Sequence, residues 1–161
     1  MEICWSEVTC SPSHEAILVL KRAWGWLVPE PWTPLLFSVL GDVFLQKEGK
    51  VYWLNTGTGE MTQVADSTDH FEALLKTEAA IEWFMPPLVG DLRAEGKIAL
   101  DGQCYTYAIF PVFSEGKYEF ENLNVVPASE HFGLSGQLHA QIAEVPEGGQ
   151  VQIVLGTARH H

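Results

Sequence analysis

FSVLGDVFLQKEGKVYWLNTGTGEMTQV, residues 37–64, is the stretch whose reading decides the fold. Val43 and Leu45 alternate with Phe44 and Gln46, KEGK (47–50) has the composition of a turn, and Val51 to Leu54 resume the extended pattern. NTGTGE (55–60) is a second turn, and a third run follows from Met61 to Val64. Short β-rich runs separated by glycine turns predict an antiparallel meander. The TGTGE run does not read as a phosphate loop. It lacks the Lys-Ser/Thr that would follow the last glycine, and no helix starts directly after it.

Upstream, SHEAILVLKRAWGWLV (13–28) predicts a helix capped by Ser13, with Glu15 in its first turn and Ile17, Leu20, Trp24 and Leu27 on one face. Pro29, Pro31 and Pro34 end it. Downstream, residues 66–85 predict one continuous helix capped by Ser67 or Thr68, with Asp69 at its positive end and His70 near its solvated start. Its apolar face is Phe71, Leu74, Leu75, Ala79 and Trp83, Glu72 and Lys76 form an i,i+4 pair, and Pro86 and Pro87 stop it.

A short helix, a turn at LDG and a strand follow, the strand alternating Tyr105, Tyr107 and Ile109 with Thr106, Ala108 and Phe110. The next predicted strand sets Tyr118 and Phe120 against an outer face of Glu119 and Glu121. Residues 128–144 predict a helix, PEGG ends it, and Val151, Ile153 and Leu155 line a closing strand. With no repeat and no linker, the expectation is a single α+β domain over 1–161. It has an antiparallel meander packed with three to four helices, an N-terminal helical part over 1–36 and a core over 37–155.

Twenty-one acidic residues against nine basic ones leave a net charge of −12. The excess builds after residue 50, where 51–110 carry nine acids and three bases. Such a field repels phosphate backbones and anionic membranes and steers basic partners inward, so no direct nucleic-acid or membrane binding is expected. MEICWSEV carries no secretory pattern, and no run of 18 apolar residues exists. Cys4, Cys10 and Cys104 lack CxxC spacing and read as reduced thiols of a cytoplasmic protein.

Each candidate chemistry meets a plain obstacle. HExxH and CxxC are absent, and His131 and His139 lie two helical turns apart, so no metal or cofactor is expected. GxSxG is missing, and Ser135 sits inside a helical pattern. Cys104, at the start of a strand, reads as a buried structural thiol. With so many acids, no carboxylate pair stands out. On a helical wheel Leu134, Leu138 and Ile142 form the core stripe, with His131 among them and Ser135 beside. His139 falls at the rim of that stripe, where its ring packs and one nitrogen finds an acceptor. No catalytic residue is assigned.

GDVFLQKEGKVYWLNTGTGEMTQVADSTDHFEALL (41–75) and GQCYTYAIFPVFSEGKYEFENLNVVPASEHFGLSGQLHAQIAEVPEGGQVQIVL (102–155) together resemble the immunity proteins of bacterial type VI secretion loci, those with a GAD-like N-terminal part and a C-terminal domain of unknown function. The resemblance covers about residues 37–155. It implies a non-enzymatic protein that binds a cognate effector toxin, often a nuclease, and protects the producing cell. Gln137, His139 and Gln141 match the family's GQxHxQ-like segment, for which a structural role is implied. A basic nuclease domain is the expected partner, and Asp91, Glu95, Glu115, Glu119 and Glu121 are the candidate contact surface. Trp24, Trp26 and Trp32 read equally as aromatic anchors or as core. The alternative is a scaffolding or ligand-responsive domain without a toxin partner.

Overall fold

The computed structural model describes residues 2–145. Its centre is a five-stranded antiparallel sheet in the order β1 (Thr9–Cys10), β2 (Thr33–Ser38), β3 (Val43–Lys47), β4 (Lys50–Asn55), β5 (Glu60–Ala65). The predicted meander is its last three strands. Lys47 pairs with Lys50, so Glu48 and Gly49 alone make the first turn, and both have positive φ, as a tight hairpin between twisted strands requires. In the second turn Asn55 Oδ1 accepts from the amides of Gly57 and Thr58.

The first helix, expected to run to the prolines, stops at Ala23 instead, and the proline-rich stretch leads into a strand, Thr33–Ser38. Pro34 is tolerated there because β1 pairs only with Phe37 and Ser38, which leaves the outer side of β2 unladdered at the proline. β3 is buried on both sides, with Phe44 pointing to one layer and Val43 and Leu45 to the other. On one side lie α2 (His14–Ala23), Trp24 and the first half of α6 (Ala128–Ala143). On the other lie α3 (Thr68–Leu74), α4 (Ala79–Phe84) and α5 (Pro86–Ala94). The sheet is thus the middle layer of three. A second sheet, β6 (Gln103–Tyr107) with β7 (Leu123–Pro127), joins the first where the Tyr105 amide donates to the Val39 carbonyl at 2.8 Å.

Ser13 and Ser67 cap α2 and α3 as expected, accepting from the amides of Ala16 and His70. Two further expectations need correction. The continuous helix over 66–85 is two helices. Lys76 and Thr77 bond back three residues instead of four, the Thr77 hydroxyl takes the Leu74 carbonyl at 2.6 Å, and Lys76 lies past the end of α3 instead of one turn from Glu72. The prolines after it close α4 and also open α5: Met85 turns left-handed at φ 47°, and Pro86 takes the first helical position, where a missing N–H costs nothing.

The other correction concerns Glu119 and Glu121. The strand at Gln103 ends at Tyr107, and Tyr118 to Glu121 lie in an irregular segment that closes with a 3-10 turn, Phe120–Asn122. Asn122 holds this segment by bonding both backbone groups of Ile109 through its side chain, at 2.9 and 2.8 Å. The PEGG stop, the closing strand at Val151, Ile153 and Leu155, and His160 and His161 lie outside the described residues.

Candidate functional site: a buried histidine bracket and an acidic face

Four segments distant in sequence meet at Thr56, in the turn between β4 and β5. Its amide donates to Asp42 Oδ1 at 2.9 Å, and its hydroxyl lies 2.9 Å from the Gly41 carbonyl, 3.2 Å from Asp42 Oδ1 and 2.7 Å from His131 Nε2. His131 Nδ1 is 2.8 Å from the Thr106 hydroxyl, and Trp53 Nε1 donates to Asp42 Oδ2 at 3.1 Å. The single Thr56 proton serves Gly41 and Asp42, so Nε2 of His131 carries a proton and donates to Thr56, while Nδ1 accepts from Thr106. Two turns of helix later, His139 Nε2 donates to the Thr56 carbonyl at 2.9 Å.

Burial sets the charges. It pushes the Asp42 carboxyl up to about 7, against the pull of hydrogen bonds from Thr56 and Trp53. It pushes His131 down to about 3, helped by the neighbouring His139 and opposed by the Gly41 carbonyl. His139 is lowered too, by burial, with the Thr56 and Gly57 carbonyls opposing. Both imidazoles are therefore neutral at neutral pH. Each lies flush on backbone: a Cβ on Gly41 would collide with the His131 ring, and one on Gly59 with that of His139.

α6 is rotated from its predicted orientation. His131 and Leu138 of the predicted stripe and Ser135 beside it are buried as expected and His139 is buried in line with them, whereas Leu134 and Ile142 are only partly covered. His139 is inside the core, not at its rim, although its nitrogen finds an acceptor as expected. The rotation is possible because every buried polar group on that line has a partner, including Ser135, which accepts from Trp24 Nε1 at 3.2 Å. Trp24 and Trp32 are core, and Trp26, stacked on Trp24, is 42% exposed. Nothing in the sequence signalled Asp42, Thr56 or Thr106, since their partners lie far along the chain.

Chemically this assembly is a bracket, closed to solvent. His131 has both nitrogens engaged internally. Burial raises the Cys10 thiol to about 11 and pushes the Cys104 thiol well above its ordinary range, far from the thiolate a nucleophile needs. Among the described residues no three His, Cys, Asp or Glu side chains converge to hold a metal ion, and no helix is long and apolar enough to cross a membrane.

The surface differs in character. Asp91 lies on α5 and Glu95 at its end, while Glu115, Glu119 and Glu121 lie in the irregular segment, all exposed. Lys97 joins the two regions, its amine donating to the carbonyls of Phe120 and Leu123 at 2.8 Å each.

Compared with models of known families, residues 65–139 match one described as T6SS immunity protein Tdi1, C-terminal. This stretch is similar to the C-terminal part of type VI secretion immunity proteins. The family segment runs from the end of β5 through His139, so it supplies Thr106, His131 and His139 to the bracket. Asp42, Thr56 and Trp24 come from the chain before it. Gln137 and His139 fall within the match and Gln141 just beyond it. No curated protein and no solved structure matches the chain.

Proposed function

We propose that this chain is a type VI immunity protein that binds a cognate effector toxin with a basic nuclease domain and blocks it in the cytoplasm of the producing cell, without chemistry of its own. The observation that carries the reading is how charge is arranged at the end of α5 and over 108–122. Two of the three bases there are engaged, Arg93 with Glu7 at 3.4 Å and Lys97 with two carbonyls, and the third, Lys117, is exposed beside Glu115 and Glu119. Asp91, Glu95, Glu115, Glu119 and Glu121 stay exposed. Ile98, Leu100 and Ile109 lie among them, and Leu100 is 69% exposed. Lys97 and Ile109 are each bonded to residues 120–123, which gathers the apolar positions near the acids.

An apolar centre with an acidic rim suits the basic substrate groove of a nuclease. The aliphatic side chains supply burial, and the carboxylates supply steering and orientation. The test is co-expression with the effector encoded at the same locus, read as rescue of growth and as co-purification. Reversing Glu95, Glu119 and Glu121 to Lys together should abolish rescue while the protein stays folded. Full rescue by that triple variant would refute this face as the contact surface.

A further inference from the structure

On another part of the surface a groove of about 690 Å³ runs between the N-terminal turn and the α3–α4 junction. Ile3, Trp5, Leu75 and Ile81 give it apolar walls, and Glu2 and Glu78 line it with carboxylates. Its volume lies within the roughly 300–1,000 Å³ of typical ligand pockets. Trp5 belongs to α1 (Trp5–Val8), is 37% exposed, and meets the buried Phe84 edge-on at 5.2 Å. Its carbonyl takes the Thr9 hydroxyl at 2.6 Å, which ties the turn down. An indole already fixed by the core loses little side-chain entropy when a partner covers it, as interface anchors require.

Charge selects the occupant. Lys76 is the one base among the lining residues, against Glu2 and Glu78, and Glu82, exposed on α4, lies one turn on from Glu78. At net −12 a second copy of this chain would be repelled, as would a nucleic acid. We propose that this groove is a second docking point for the effector, taking an apolar side chain flanked by Lys or Arg. The inference rests on the neutralising role proposed above. Glu2, Ile3 and Trp5 come from outside the matched segment and Leu75, Glu78 and Ile81 from inside it, so both parts of the chain build the groove.

The test measures association and dissociation of the purified effector, inactivated at its catalytic site, with the wild-type chain, Trp5→Ala and Glu2→Lys. Trp5→Ala should speed dissociation about tenfold with little change in association. Glu2→Lys should slow association several-fold at low salt, the difference shrinking at about 0.5 M salt. If both variants bind within twofold of wild type, the groove is not a docking point. Should Trp5→Ala fail to fold by circular dichroism, Glu2→Lys, outside every helix and strand, decides alone. A wild-type chain that does not bind the effector overturns the neutralising role and this inference together, whereas normal binding by the variants overturns the groove alone.

Discussion

Thr56 has one hydroxyl hydrogen and three neighbours within reach of it, and that shortage fixes the protonation of the residues around it. Replacing it with Val keeps the shape and removes the hydroxyl, so His131 Nε2 loses its partner at 2.7 Å. The expected loss in urea unfolding is about 2–3 kcal/mol, with Thr56→Ser losing under about 1 kcal/mol. Gly41→Ala drives a methyl into the same ring and should cost at least as much.

The two buried titrations pull in opposite directions. His131, folded near 3 against 6.5 in the unfolded chain, loses stability as pH falls from 6.5, and His139 adds to that loss. Asp42, folded near 7 against 3.8, loses it as pH rises through the same range. Between pH 3.8 and 6.5 the carboxyl thus offsets one imidazole. Asp42→Asn should remove the offset and steepen acid destabilisation there by about 1.4 kcal/mol per pH unit. Parallel stability profiles for variant and wild type would show that Asp42 keeps an ordinary carboxyl.

Among the elements, those built from local signals were legible in the sequence. Glu48–Gly49 and Asn55–Gly59 encode their turns within a few residues, Ser13 and Ser67 encode their caps, and the meander follows. Because Glu48 already takes a positive φ, Glu48→Asn should tighten that turn and raise stability by about 0.5 kcal/mol, read as a higher Tm. What stayed hidden depended on distant partners. The polar line of α6 faces inward because Thr56, 75 residues from His131 and 83 from His139, waits there with its hydroxyl and carbonyl. A helical wheel weighs hydrophobicity alone and so chose Leu134 and Ile142. The break at Thr77 turned on a hydroxyl competing for one carbonyl. The expected strand through Glu119 and Glu121 failed because alternation over four residues does not guarantee a neighbouring strand to pair with. The acidic candidates were legible as charge, but the engagement of Arg93 with Glu7 and of Lys97 with two carbonyls was not.

For the molecule as a whole, a net charge of −12 acts before contact. Association with a basic effector should slow about tenfold between roughly 20 mM and 500 mM salt, with dissociation much less affected. Stopped-flow association rates indifferent to salt would rule out electrostatic steering. The amine of Lys97 has a further effect. Asn122 and Ala128 face β6 through their backbones, so Leu123, Val125 and Pro127 turn theirs outward. Leu123 donates to the 3-10 turn and accepts from Lys97, and Pro127 has no hydrogen to give. Only Val125 is left, among these three, with both backbone groups turned away from β6 and none of those devices in place. A lone position cannot seed a ladder, so chains crowded together during synthesis find no template there for stacking into fibres.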